Sequence, residues 1–217
     1  MVRNIPVFTT EYGVASLILE SIPARQEAFI HIRSSLEPEK LLRECKEFCL
    51  ACGAERIYAT GDGFVEQYPF YMAVWRMQGN RETMGDTDAA LFPLQEKTAE
   101  KWRQIYNEKM QGVPKAAHLT TFSMKKLLHE GNAYFVHRDG ELLGIGVATG
   151  DRIDAVASVV PGMGAQVVRA LCHALSEDAL TVEVASTNQR AIKLYERLGF
   201  VPVAELSRWY KIYESDK

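Results

Sequence analysis

The sequence predicts an α/β protein with a smaller α/β subdomain at the N-terminus. Three observations carry this prediction. Segments with the two-residue period of strands alternate along the chain with segments that have the apolar face of a helix. Turn-forming glycines separate many of these segments. The chain has 217 residues, of which 47% are hydrophobic, so it can bury one large core or two small ones.

The N-terminal subdomain is predicted to span residues 1–85. Glu37-Pro38-Glu39 is typical of a helix start, because proline fits the first turn and acidic residues favour the positive end of the helix dipole. Gly53 is expected to end this helix. The other predicted features are an apolar stretch at 14–22, strands at 28–32, 56–60 and 70–77, and a polar linker at 78–88.

The C-terminal domain is predicted to span residues 86–217. Asp139-Gly140 marks a hairpin, because this dipeptide adopts the positive φ that tight turns require. Ser123 is a suitable cap for a short helix. The predicted elements are helices at 96–110, 123–128, 165–175 and 188–198, strands at 133–137, 142–148, 153–160 and 180–185, and a final strand pair or one bent strand at 200–213.

The cysteines are expected to pack in the core. Cys45, Cys49 and Cys52 recur at i, i+4 and i+7, which places them on one face of the predicted helix. A free cysteine behaves as a small buried hydrophobe, whereas a zinc site needs paired thiolates and further converging ligands. Packing is therefore the preferred interpretation of these three residues and of Cys172, and no metal is expected.

Charge and hydropathy exclude several classes of partner. The formal net charge of −3 provides no cluster of Lys and Arg for phosphate neutralisation, so we expect no nucleic-acid partner. No stretch approaches the roughly 20 consecutive apolar residues of a membrane span. The N-terminus lacks the features of a signal peptide, and the expected location is the cytoplasm. Exposed edges of the terminal strands make a homodimer plausible.

A strand, a glycine turn and a helix form the first segment with predicted chemistry. Gly162 and Gly164 flank the start of the helix, where backbone N–H groups and the helix dipole favour an anion such as a pyrophosphate. Two glycines in such a turn also occur without any ligand, because the chain must reverse sharply. The turn lacks the third glycine of a dinucleotide-binding loop and the lysine of a phosphate loop.

The helix predicted at 188–198 carries the most specific pattern. Asn188, Ala191 and Tyr195 lie on one stripe, with a small residue that leaves room for a ligand alongside. An ordinary half-buried tyrosine is the structural interpretation of Tyr195. The segment from Val184 to Phe200 resembles the strand-to-helix signature of the GNAT superfamily of acyl-CoA-dependent N-acyltransferases, and the resemblance covers roughly residues 91–213.

This resemblance implies a GNAT-like mixed central sheet flanked by helices, with the N-terminal subdomain as a degenerate half-GNAT, and acetyl-CoA as cosubstrate for acetylation of a small-molecule or peptide amine. Asn188 and Ala191 would face the pantetheine arm, Val159 would align it, and Tyr195 would be the general acid. The pyrophosphate would lie against five residues of the turn: Gly162, Met163, Gly164, Ala165 and Gln166. The Arg or Gln that the family carries before these glycines is missing here.

The general base is not fixed by the resemblance. Asp154 is the first candidate because it lies on the strand that leads to the turn, and Glu183 is the second. Both residues also fit the description of solvated charges on a strand. The alternative to an enzyme is a non-catalytic GNAT-like module that binds acyl-CoA as a sensor, because a fold alone does not establish an activity.

Overall fold

The chain divides into two compact units in the computed structural model, which describes residues 5–215. The first unit contains residues 5–74 and 205–215, and the second contains Trp75–Ala204. The predicted boundary at residue 85/86 assigns every later residue to one domain, whereas the last residues of the chain return to the first unit. Among residues 5–215, no helix is long and apolar enough to cross a membrane.

The first unit is built around a mixed sheet with the strand order β1-β2-β3-β4-β11. Helix α2 supplies an apolar face of Leu41, Leu42, Cys45 and Cys49 to its core. The elements are β1 (Val7–Thr10), β2 (Gly13–Ile18), α1 (Ile22–Arg25), β3 (Glu27–Ser35), α2 (Pro38–Ala51), β4 (Arg56–Thr60), the start of β5 (Phe70–Asn80) and the end of β11 (Val201–Glu214).

The second unit has the strand order β5-β10-β9-β8-β7-β6. Strands β6 to β9 are antiparallel neighbours, whereas β9 and β10 are parallel. The elements that follow β5 are β6 (Ala90–Pro93), α3 (Ala99–Met110), α4 (Thr121–Glu130), β7 (Ala133–Arg138), β8 (Glu141–Thr149), β9 (Arg152–Ser158), α5 (Gly164–His173), β10 (Ala179–Ala185) and α6 (Gln189–Arg197). This mixed sheet with flanking helices confirms the predicted fold class.

The two units share one order of elements. In the first unit, three antiparallel strands are followed by α2 and by β4, which is parallel to β3. In the second unit, β7, β8 and β9 are followed by α5 and by β10, which is parallel to β9. The repeat ends there, because α6 follows β10 whereas only a short 3₁₀ helix, Gly63–Gln67, follows β4. The N-terminal subdomain is thus a partial copy of the GNAT-like half.

Several local predictions differ from the structure. Helix α4 begins two residues earlier than predicted, because Thr120 accepts the Ser123 N–H at 3.3 Å and forms a capping box with it. Cys52 lies beyond the end of α2 and is exposed, so only Cys45 and Cys49 belong to the buried stripe. Residues 201–214 form one strand, and two short strands, β1 and β6, have no counterpart in the prediction.

Two glycines of β8 allow α5 to pack closely on the sheet. A Cβ atom on Gly146 would overlap the side chain of Leu171, and one on Gly144 would lie 2.8 Å from the Val167 side chain. Helix α3 also packs against β8 and β9, and Trp102 donates from its indole nitrogen to the Tyr134 carbonyl at 3.0 Å. Because α5 occupies the glycine face of β8, α3 and α4 cover the other face.

We expect Gly146→Ala to destabilise the protein by about 1–3 kcal/mol, because the added methyl group overpacks the contact between β8 and Leu171. Urea-induced unfolding followed by circular dichroism measures this loss. Gly112→Ala is the matched control, since a Cβ atom added there would have no neighbour within 4 Å and the φ of Gly112 is not in the left-handed region. A stability of Gly146→Ala equal to that of Gly112→Ala would contradict the proposed close packing.

Candidate acyl-CoA site

The parallel strands β9 and β10 separate soon after they begin. Both strands lie wholly within the described residues, and their register contains only the pairs Thr181↔Arg152 and Val182↔Ile153. Strand β9 nevertheless continues to Ser158, paired with β8 along this length, and β10 continues to Ala185. We call the gap between 154–158 of β9 and 183–185 of β10 the wedge. Backbone N–H and C=O groups that point into it require partners from outside the sheet.

The equivalent strand pair in the first unit stays closed. Strands β3 and β4 pair at five consecutive positions, from Glu27↔Arg56 to His31↔Thr60, which is the full length of β4. The partial copy therefore has no opening at the position of the wedge. Within residues 5–215, the opened parallel pair is that of the second unit.

A β-bulge lies at the closed end of the wedge. Ile153 pairs with Ala148 and Ala155 pairs with Val147, so Asp154 is the extra residue on β9. Bulges bend a strand and re-aim its side chains, and they are enriched next to active sites. Ile153 belongs to the core under α5, whereas Asp154 contacts Arg152 on the opposite face through an ion pair of 2.6 Å. The side chain of Asp154 is only 10% exposed.

The glycine turn leads from β9 directly into α5. Gly162 has a φ of +84°, which favours glycine, and a Cβ atom added to it would have no neighbour within 4 Å. Ser158 stabilises the turn by donating from its hydroxyl to the Val160 carbonyl at 2.6 Å. The N–H of Val159 donates to the Leu143 carbonyl at 2.9 Å, so this predicted contact residue has its donor occupied by β8.

The first backbone N–H groups of α5 have no hydrogen-bond partner within the helix. Val167 is the first residue of the helix whose N–H bonds back to the turn, at 3.1 Å from the Met163 carbonyl. The N–H groups of Gly164, Ala165 and Gln166 precede it and have no intrahelical partner. Helix α5 has ten residues, and its dipole favours an anion at this end.

One cation reaches the turn from a neighbouring strand. Arg138, the last residue of β7, places Nη2 at 3.8 Å from the sulfur of Met163. Its Nη1 lies 3.8 Å from Asp88, whose side chain is 68% exposed. Such a long, solvated pair is weak and exchangeable. The sequence reasoning missed Arg138, because this residue approaches the turn only through the pairing of β7 with β8.

Helix α6 approaches the start of α5 through Leu194. Asn188 caps the helix by accepting the N–H of Ala191 at 3.2 Å, so the amide oxygen of the predicted pantetheine contact is already engaged. A Cβ on Gly164 would lie 3.1 Å from Leu194, which shows how closely α6 approaches the start of α5. Ala191 is partly buried against the core of the second unit. The start of α5 thus lies close to α6, and the roles that the resemblance implies for Asn188, Ala191 and Tyr195 stay predictions.

Tyr195 lies in that core, with 6% of its surface exposed. Its ring packs against Phe200 at a centroid distance of 5.7 Å. Burial raises the pKa of the Tyr195 phenol above its ordinary value, and the neighbouring Cys172 thiol adds to the rise. The hydroxyl forms no hydrogen bond with any residue in the described part of the chain, and its oxygen keeps access to solvent.

The remaining titratable groups do not form a metal centre. Burial raises the pKa of the thiols of Cys45, Cys49 and Cys172 to about 12, so they stay protonated at neutral pH. Within residues 5–215, no group of three or more His, Cys, Asp or Glu side chains is placed to hold a metal ion.

Comparison with known proteins bears on the fold. Residues 160–209 match the family model of the FR47-like proteins, a family related to the GNAT superfamily. A search of the curated proteins finds no match. Among solved structures, the chain is similar to a GCN5-related N-acetyltransferase from Sphaerobacter thermophilus, with a TM-score of 0.58, 11% identity and coverage of 94% of this chain and 78% of that chain.

Two further structures match over both units. A conserved protein of unknown function from Staphylococcus epidermidis gives a TM-score of 0.61 at 11% identity, over 98% of this chain and 95% of that one. A tandem GNAT protein from the clavulanic acid biosynthesis pathway gives 0.52 at 13% identity, over 94% and 80%. The fold is that of the GNAT superfamily, as the segment from Val184 to Phe200 predicted.

We expect Tyr195→Phe to change the free energy of unfolding by less than about 1 kcal/mol, because the hydroxyl that it removes has no hydrogen-bond partner in the described part of the chain and keeps access to solvent. Tyr58→Phe is the matched control. The Tyr58 side chain is buried and its hydroxyl donates to Tyr71, so its removal should cost about 1 kcal/mol. Urea unfolding of both variants measures the difference. A loss in Tyr195→Phe as large as that in Tyr58→Phe would show that the Tyr195 hydroxyl makes a stabilising contact.

Proposed function

We propose that this protein, which has the GNAT fold, is an N-acetyltransferase that transfers an acetyl group from acetyl-CoA to a primary amine by direct attack in a ternary complex. The wedge between β9 and β10 is the observation that carries the proposal. An extended arm with amide groups, such as pantetheine, can replace the missing strand contacts on both sides of such a gap. The wedge also ends at the turn that favours a pyrophosphate.

The turn and Arg138 together suit two phosphate charges. The N–H groups of Gly164, Ala165 and Gln166 point out of α5, and the absence of a side chain at Gly162 lets a ligand approach the backbone. The family pattern has an Arg or Gln before the glycines, which this chain lacks. Arg138 is placed to supply that missing charge, because a phosphate would displace the solvated Asp88 from its guanidinium.

Tyr195 is proposed as the general acid. Acetyl-CoA supplies an acetyl thioester, in which the C–S bond breaks as the amine nitrogen bonds to the carbonyl carbon. The Tyr195 phenol holds a proton for the leaving sulfur, and its raised pKa keeps that proton in place at neutral pH. An anionic sulfur in the same buried surroundings is also harder to form than in water. The proton affinity of the leaving thiolate therefore rises together with that of the Tyr195 phenolate. The free hydroxyl is available for this contact.

Asp154 is proposed as the base on the other face of the sheet. It lies at the bulge where the wedge begins, opposite the core that holds Tyr195. The amine loses one proton as it attacks, and the Asp154 carboxylate accepts it directly or through one water. Acid and base then act on opposite sides of the wedge, so that the acceptor approaches from the face opposite α5, at the wedge itself.

The non-catalytic alternative has one specific observation in its favour. The turn lacks the Arg or Gln that the family carries before its glycines. Arg138, the residue proposed to take over that charge, is paired with Asp88. A sensor needs the wedge and the turn but neither Tyr195 nor Asp154. Binding of acetyl-CoA without transfer to any amine would favour it.

We expect isothermal titration calorimetry to show binding of acetyl-CoA, and Arg138→Ala to weaken it by about tenfold, as loss of a charge-assisted phosphate contact does. Binding of S-acetyl-pantetheine, which has no pyrophosphate, should be unaffected by this change. Lys126→Ala is the control, because it removes one cation of the second unit whose ion pair, with Glu130, lies within α4.

The outcomes separate the hypotheses. Lack of acetyl-CoA binding by the wild-type protein would refute both the enzyme and the sensor. Equal weakening of acetyl-CoA and S-acetyl-pantetheine in Arg138→Ala would show that Arg138 supports the fold of the turn and does not contact phosphate. For a protein that binds acetyl-CoA, release of free thiol in the presence of an amine panel distinguishes the transferase from the sensor.

A further inference from the structure

Four charged side chains form an alternating row across the second unit, on strands β5, β10 and β9. Arg76 Nη2 lies 3.3 Å from Glu183 Oε1, and Arg152 Nε lies 2.6 Å from Asp154 Oδ1. We call Arg76, Glu183, Arg152 and Asp154 the charge ladder. These two ion pairs lie on strands that are neighbours in the order β5-β10-β9.

The ladder occupies one face of the sheet. Met77, Val182 and Ile153 belong to the core beneath α5, and side chains alternate along a strand, so Arg76 and Glu183 point to the opposite face. The contact between Arg152 and Asp154 places them there as well. This face is opposite α5, whose N-terminus is the proposed site of the pyrophosphate.

The ladder also lies at the closed end of the wedge. Ile153 and Val182 form the last pair between β9 and β10, and Asp154 and Glu183 are the next residue on each strand. Their carboxylates therefore flank the point at which the strands separate.

The two ion pairs interact electrostatically, and three of their four side chains are partly exposed to solvent. Burial lowers the pKa of Arg152, but its hydrogen bond to Asp154 and the charges of Asp154, Glu183 and Asp151 raise it above the ordinary value. The side chains of Arg76, Glu183 and Arg152 are 38–43% exposed. Asp154 is the deep member of the row, so a ligand entering from solvent meets the guanidinium groups before it reaches this carboxylate.

We propose that the acceptor is an amine that also carries a carboxylate, such as an amino acid, and that the charge ladder selects it. This inference rests on the proposed transferase function and names its substrate class. Asp154 takes the amino group at the wedge, and Arg76 takes the carboxylate. The Arg76 ion pair uses only one of the five N–H donors of a guanidinium, and the planar fork of the others matches a carboxylate.

The balance of charges argues against the other acceptor classes. Two guanidinium groups beside two carboxylates give no net attraction for a polyamine, and an amine with an apolar tail would desolvate the arginines without replacing their partners. A ligand with one positive and one negative group satisfies both ends of the row.

Matched pairs of acceptors test the proposal: L-phenylalanine with 2-phenylethylamine, and L-lysine with 1,5-diaminopentane. Free-thiol release from acetyl-CoA gives kcat/KM for each member. We expect the amino acid of at least one pair to exceed its decarboxylated partner by about tenfold or more, as a charge-assisted contact allows. In Arg76→Ala this ratio should fall to near one, through a rise in KM for the amino acid. Arg76→Lys, which keeps the charge but loses the fork, should give an intermediate ratio.

Arg208→Ala is the matched control, because Arg208 belongs to the first unit and forms an exposed ion pair with Glu205 on β11, at 2.5 Å. It should leave the ratio unchanged. Equal or faster acetylation of the decarboxylated amines, or a ratio that Arg76→Ala does not change, would overturn the substrate class while leaving the transferase intact. If the protein binds acetyl-CoA but acetylates no member of the panel, the substrate class is also wrong. Failure to bind acetyl-CoA would instead refute the proposed function itself.

Discussion

The early separation of β9 from β10 is the constraint on which the whole candidate site depends. After the pair Ile153 and Val182, each strand continues for several residues with one edge unpaired. Unpaired backbone groups are costly when buried, so the fold leaves them where a ligand or water can reach them. The bulge at Asp154 lies where β9 and β10 separate, and such bulges bend a strand and re-aim its side chains.

A comparison of the two units shows how the separation of β9 from β10 turns a shared topology into a candidate site. Both contain three antiparallel strands, a crossover helix and a parallel strand, and both have a bulge, at Arg33 in β3 and at Asp154 in β9. In the first unit the parallel strands pair at five positions and the crossover helix begins at Pro38, without a glycine turn. The same topology thus serves as a closed scaffold in one unit and as an opened candidate site in the other.

Local signals made a large part of this structure predictable. Asp139-Gly140 located the hairpin, and Asn188 with Gly199 bounded α6, because each of these residues acts within a few positions of itself. The bulge, the ladder and the approach of Arg138 to the turn depend on strand register and on partners far along the chain. For the same reason the sequence could not show that residues 205–215 return to the first unit.

Hydrogen–deuterium exchange with and without acetyl-CoA tests the central claim most directly, because it reports on the backbone groups of the wedge. When acetyl-CoA is bound, we predict slower exchange of the backbone amides at residues 154–160, which cover the end of β9 and the start of the turn. We predict the same for the amides at 164–166, in the first turn of α5. The amides at 31–35 of β3, the equivalent position in the closed unit, should not change. Protection of β3 to the same extent, or no protection in β9 at saturating acetyl-CoA, would contradict the assignment of the wedge as the acyl-CoA site.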